Sequence, residues 1–164
     1  MTMRRQDKEI KDVAVIEAVL NKATICHLSL ARDNQPYVIP VNFGYREYSL
    51  YFHSAREGKK IKMIRENSNV CFAAETDIEL VTGEKACNWG ARYYSVIGFG
   101  SAYLMDSREE KTRAMDIIME KYAGTDIYEY SHDQVENMAV IRIDITDMSG
   151  KVSGYKDHTA LLKK

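Results

Sequence analysis

The tightest constraint on this chain is a period-two alternation late in the sequence. From Met138 to Thr146, Ala139, Ile141, Ile143 and Ile145 fall on one side, while Arg142 and Asp144 fall on the other. Such spacing suits a strand with one face buried and one face wet. The same period recurs from Thr24 to Ala31, with Cys26, Leu28 and Leu30 opposite Ile25, His27 and Ser29. It returns from Ser49 to His53, with Leu50 and Phe52 opposite Tyr51 and His53. The longest β-rich run, Tyr93 to Met105, carries Gly98 and Gly100, which weaken a strand unless a bend or a close approach requires them. Barrel curvature is the plainest cause. Further short strands are predicted at Val70 to Glu75 and Ile78 to Thr82. No βαβα alternation runs along the chain, so the fold class is α+β: an antiparallel β-barrel with peripheral helices.

Helical spacing interrupts the strands in three places. Ile10, Val13, Ile16 and Leu20 predict an amphipathic helix over Lys8 to Lys22. Ser107 followed by Glu110 is a capping-box pattern, and Met115, Ile118, Met119 and Tyr122 form a stripe behind it. Ser54 followed by Glu57 has the same pattern and predicts a helix from Ser54 to Arg65. Arg32 to Pro36 has turn chemistry and joins two strands as a hairpin. Tyr37 to Tyr45 is β in composition but holds Pro40, which lacks the N–H a central strand needs and therefore marks an edge, a bulge or a ligand-covered backbone. Tyr128 to Asn137 reads as a polar connection and Ser149 to Lys164 as a tail with frayed terminal lysines.

With 164 residues, 45% of them hydrophobic, the chain suffices for one substantial core, so residues 1–164 are expected to form a single domain centred on about 8–154. Its 23 basic and 24 acidic residues nearly cancel, which disfavours a nucleic-acid or anionic-membrane binder. Cys26, Cys71 and Cys87 are odd in number and widely spaced, as in a reducing cytoplasm. The charged N-terminus lacks an apolar leader, and no apolar run approaches a membrane span, so a cytoplasmic location is expected.

Common catalytic signatures are missing. There is no dinucleotide or phosphate-binding glycine loop, no nucleophile elbow and no His-Glu-x-x-His pair, and four scattered histidines make no metal pattern. What remains is the stretch from Ser54 to Lys60, which reads on local features either as a capped surface helix with solvated lysines or as an anion site. A helix start at Ser54 exposes backbone donors, and Lys59 and Lys60, a turn and a half further on, can reach back to an anion there. Trp89, the only tryptophan, lies in the polar loop Gly83 to Arg92, which implies that this loop packs on core, ligand or another subunit.

Three stretches in order, Pro36-Tyr-Val-Ile-Pro-Val-Asn-Phe-Gly44, Leu50-Tyr-Phe-His-Ser-Ala-Arg-Glu-Gly-Lys-Lys60 and Ala86-Cys-Asn-Trp-Gly-Ala-Arg-Tyr-Tyr-Ser-Val-Ile-Gly-Phe-Gly100, resemble the nitroimidazole-resistance (Nim-type) branch of the pyridoxamine 5'-phosphate oxidase-like flavoproteins. The resemblance runs from Arg4 to Gly154. It implies an antiparallel split β-barrel of the FMN-binding type, a homodimer with FMN in a groove between subunits, and an oxidoreductase that reduces a small acceptor such as a nitroaromatic compound. Carried over residue by residue, Val38, Ile39, Pro40, Val41 and Asn42 would lie beside the flavin ring. His53, Ser54, Lys59 and Lys60 would hold the phosphate end, and Ser95 and Trp89 would come from the partner subunit. His53 is either a cofactor contact or a catalytic proton donor. The arginines and histidines that bind substrate phosphate in true pyridoxamine phosphate oxidases have no clear counterpart. Split barrels also resemble haem-binding, flavin-storing and deazaflavin-dependent relatives, which leaves a non-catalytic binding protein as the alternative.

Overall fold

A computed structural model describes residues 3–162. The elements are β1 (Glu9–Ile10), α1 (Val13–Lys22), β2 (Cys26–Arg32), β3 (Gln35–Val41), β4 (Gly44–Arg46), β5 (Ser49–Ala55), α2 (Lys59–Glu66), β6 (Asn69–Val81), β7 (Gly90–Leu104), α3 (Arg108–Ala123), α4 (His132–Glu136), β8 (Met138–Ser153) and α5 (Thr159–Leu162). The strands form one antiparallel sheet in the order β3-β2-β6-β7-β8-β5-β4, with β1 added to β8. Its two end strands, β3 and β4, are separated in sequence by Asn42 and Phe43 alone. At ~3.3 Å of reach per residue, that connection brings the C-terminal end of β3 close to the start of β4. The sheet therefore curls into a barrel that is joined at one end of a seam and parted along the rest.

The alternation read from sequence is the alternation that builds the core. Cys26, Leu28, Leu30, Leu50, Phe52, Phe72, Val96, Ile141 and Ile143 are all at or below 1% exposure and fill the barrel with α1 and α2 at its ends. Gly98 is explained by curvature together with a close approach. It pairs with Phe72 across the β6–β7 ladder, and a Cβ there would lie 2.3 Å from the Phe72 ring. At Gly100, beside a register shift in the β7–β8 pairing, a Cβ would lie 2.4 Å from the Asp144 carbonyl oxygen.

Several boundaries differ from expectation. Ile10 belongs to β1, and α1 begins only after Asp12, whose carboxylate accepts from the Ala14 N–H and caps the helix. The two short strands at 70–82 are one strand, β6, in which Asp77 takes φ 53° at a register shift between Thr76 and Glu79. The 128–137 connection contains α4, with a complete capping box between Ser131 and Gln134. Much of the supposed tail is strand: β8 runs on through Ser153 and pairs with β7 as far as Tyr93. Lys163 and Lys164 lie outside the described residues. The α3 stripe is rotated slightly, burying Ala114, Met115, Ile117 and Ile118, while Tyr122 stays at the surface. Val140, on the opposite face of β8 from Ile141, is buried under α3.

Candidate functional site: the seam of the barrel

Both sides of the seam present unpaired strand edge. Among the described residues, β3 has β2 on one side and no strand on the other. β4 stops pairing with β5 at Gly44 opposite Tyr51, so Phe52 to Ala55 have β8 alone beside them. Pro40 thus sits on an edge strand, where its missing N–H costs no central ladder bond.

The first turn of α2 spans the two edges. Lys59 Nζ lies 4.4 Å from the centre of the Tyr37 ring on β3, and Lys60 Nζ lies 5.9 Å from the centre of the Phe52 ring on β5. Two adjacent cations of one helical turn therefore lie beside rings carried by β3 and β5, the strands on either side of the seam. Burial lowers the Lys60 ammonium below the ordinary lysine value. A groove of about 490 Å³ continues from this turn past Gly58, Lys59 and Lys62 to Arg32 and Gln35 at the end of the β2–β3 hairpin.

The helix does not begin at Ser54. Pairing with β8 carries β5 through Ala55, so Ser54 remains in the ladder opposite Ala139, and its hydroxyl donates to the Ala55 carbonyl. Gly58 is the N-cap instead, at φ 125°, a conformation L side chains rarely adopt. The capping box between Ser54 and Glu57 does not form, because ladder bonds along β5 outweigh one local cap. As a result Lys59 and Lys60 are the first two helical residues, not residues of the second turn. No side chain caps α2, and a Cβ built on Gly58 would meet nothing within 4 Å, so the helix start is open to an external acceptor.

His53 projects from the face of β5 opposite Phe52 and Ser54. Its imidazole is held below the ordinary histidine value, first by burial and then by the Lys60 charge. A neutral ring at neutral pH favours a contact and acceptor role over proton donation. On β3, Val38 and Pro40 face outward and Ile39 is half-buried, whereas Val41 is buried; Asn42 is exposed in the short connection. The candidate ring-side residues therefore divide between the two faces of the strand.

The outward residues of β3 continue a wider face. Across the ladder, Pro40, His27, Ala73 and Ile97 form one row, and Val38, Ser29, Cys71 and Phe99 form the next. Ala73, Ser29 and Cys71 in the middle of these rows are small, and His27 is the one larger residue there; Val38, Ile97 and Phe99 are 59%, 40% and 41% exposed. Ser95, on the same face, is buried and pairs with Glu75 and Lys151. Trp89 is 53% exposed, and its indole N–H donates to the Gly83 carbonyl at 2.6 Å. Neither Ser95 nor Trp89 has a recorded contact with His53 or the lysine pair within this chain. Sequence reasoning missed Tyr37, Phe52 and Gly58. The signal for Gly58 was its place directly before the lysines, but nothing in the sequence marked the two rings as belonging to strands on either side of one seam.

An antiparallel sheet joined at one end of a seam and parted at the other, with helices outside it, defines a split β-barrel. The chain belongs to the pyridoxamine 5'-phosphate oxidase family, whose sequence profile matches residues 12–152. Among solved structures it is similar to a candidate 5-nitroimidazole antibiotic resistance protein from Bacteroides thetaiotaomicron, at 35% identity and TM-score 0.78, covering 88% of this chain and 86% of that one. It also shares its fold with the flavocytochrome Anf3 from Azotobacter vinelandii, at 20% identity and TM-score 0.81, covering 97% and 78%. A FAD and haem binding protein from Mycobacterium smegmatis is 15% identical with TM-score 0.80, covering 94% and 78%. Comparison with curated proteins returns no match. Among the described residues, no group of side chains could hold a metal ion and no helix is long and apolar enough to cross a membrane.

Proposed function

We propose that the seam binds a flavin, FMN in the first instance, and that the protein is an oxidoreductase passing electrons to a small acceptor of the nitroaromatic type. The observation that carries this reading is the first turn of α2, with Lys59 and Lys60 beside rings of the strands on either side of the seam and the helix start uncapped. A phosphate fits this cradle in charge, in its demand for donors and in the open space beside Gly58. Lys59, Lys60 and the α2 N–H groups would hold the phosphate end, with Val38, Ile39, Pro40 and Asn42 beside the ring and His53 as a neutral contact. Ser54, turned towards Ala55, contributes position through the strand more than a hydroxyl bond. Bound there, the flavin supplies the electrons for reduction of the acceptor; the chain supplies orientation and a fixed electrostatic setting. The family membership and the likeness to a candidate nitroimidazole-resistance protein support the same reading.

The groove beyond Lys59 reaches Arg32 and Lys62, so FAD is the natural competitor and belongs in the same titration. Purified protein should quench the fluorescence of added FMN with saturation. After anaerobic reduction, the bound flavin should reoxidise faster on addition of a 5-nitroimidazole than in buffer. Tighter binding of FAD would change the cofactor and keep the site. Retention of neither flavin, together with a Soret-type change on haem titration, would overturn the reading in favour of a haem-binding barrel.

The outer face of β3, β2, β6 and β7 supports a homodimer as part of this reading. A sheet face bearing Ile25, Val38, Ile97 and Phe99 is more apolar than a solvated face requires, and a second copy covering it would bring another Ser95 and Trp89 to the assembly. Phe99→Glu should convert a dimer to a monomer in sedimentation equilibrium, with circular dichroism unchanged. A wild-type protein that sediments as a monomer would remove this part of the proposal.

A further inference from the structure

A second opening of about 720 Å³ lies between α1, α3, β4 and α5, among residues separate from those of the seam. Its walls are mainly apolar at Ala14, Ala18, Ile117 and Leu161, and the side chain of Lys121 forms part of its lining. Lys121 Nζ donates to the Leu20 carbonyl at 2.8 Å and lies 3.2 Å from the centre of the Phe43 ring. Among the described residues no carboxylate forms an ion pair with it. The two carboxylates that line the cleft are engaged elsewhere: Glu17 accepts from the Tyr45 hydroxyl, and Glu120 pairs with Arg46. Cys26, close enough to interact electrostatically, is pushed up to about 12 by burial and stays a neutral thiol. Burial accordingly lowers Lys121 to about 7, so a large share of the amine is uncharged at neutral pH.

We propose that this cleft is a second ligand site in which Lys121 captures a small, largely apolar aldehyde as an imine. An amine held in a cleft, half-buried and without a counter-ion, is the arrangement that makes a lysine nucleophilic. Lys22 and Arg46 line the cleft beside Glu17 and Glu120, so its formal charges offset, and a neutral carbonyl compound needs no counter-charge there. The Nζ lone pair forms a bond to the carbonyl carbon as the C=O π bond breaks. The oxygen takes up the proton that the nitrogen loses, giving a carbinolamine. Loss of that hydroxyl with a second proton, as water, leaves the C=N bond. No oxidant or reductant is consumed. The size of the opening suits a ligand such as an aromatic aldehyde with a short side chain.

The test is reductive trapping on the intact protein. Benzaldehyde and sodium cyanoborohydride are added near neutral pH, and the benzylated lysines are mapped over time by peptide mass spectrometry. Lys121 should be labelled at least about tenfold faster than exposed Lys11, because its uncharged fraction is far larger. Ala18→Phe, which narrows the cleft from the α1 side, should slow labelling of Lys121 and leave Lys11 and flavin binding unchanged. Labelling of Lys121 no faster than Lys11 would overturn the proposal. So would an undiminished Lys121 rate in a folded Ala18→Phe protein, since the amine would then be reached by another route.

Discussion

Replacing Lys59 and Lys60 together by alanine should raise the dissociation constant for FMN by about a hundredfold or more, with little change in melting temperature. Each lysine would make a charge-assisted contact to phosphate, and such bonds contribute about 1.5–3 kcal/mol apiece. The structural loss is smaller. Lys59 is exposed and Lys60 half-buried, and what they leave behind is one ammonium–ring contact each, worth about 0.5–1 kcal/mol at a solvated site. Wild-type affinity should also fall with added salt, and the double variant should lose most of that dependence. Isothermal titration at two ionic strengths checks both. Equal affinity of the double variant and the wild type would move the phosphate away from α2 altogether.

Gly98→Val should destabilise the fold by about 3 kcal/mol or more, lowering the melting temperature by roughly 6–12 °C for a chain of this size. The added side chain would occupy the space of the Phe72 ring, which is 1% exposed and packed in the core. Gly90→Ala is the control, since a Cβ there meets nothing within 4 Å. Pairing Gly98→Ala with Phe72→Leu should recover part of the loss of Gly98→Ala alone, because the two sites share one volume. Thermal unfolding of the four proteins measures the set, and a normal melting temperature for Gly98→Val would mean that Phe72 can leave its place without cost.

The strands were legible because alternation is a direct imprint of which side of a sheet meets water. Leu28, Phe52 and Ile141 announced their burial by spacing alone, and the missing N–H of Pro40 announced an edge. Helix starts were legible only where no strand competed. Ser107 caps α3 as its pattern predicts, but Ser54 carries the same pattern and stays in a strand, because β8 offers it a ladder partner that sequence spacing cannot display. Ile10 is a similar case: it fits the helical repeat and is taken instead by pairing with Gly150. The lysines of the site were visible as a pair of cations. That they lie beside rings of two different strands depends on Tyr37 and Phe52, which are 15 positions apart and sit on β3 and β5, strands that the fold of the sheet places on either side of the seam.

The position of β8 bears on how such a chain acquires its shape in time. β2, β3, β6 and β7 form one ladder and β4 and β5 another, and β8 is the strand between them, pairing with β7 on one side and β5 on the other. Among the described residues it is also the last strand in sequence order, made after the strands it joins. Until it docks, the two ladders have no strand in common and the hydrophobic inner faces of both stay uncovered. Closure therefore waits for contacts between distant residues, such as Tyr93 with Ser153 and Ser49 with Asp144, which places the chain among slow, high-contact-order folders. During translation the half-built barrel is a nascent chain with exposed strand edges, the state in which a ribosome-associated chaperone has most to shield.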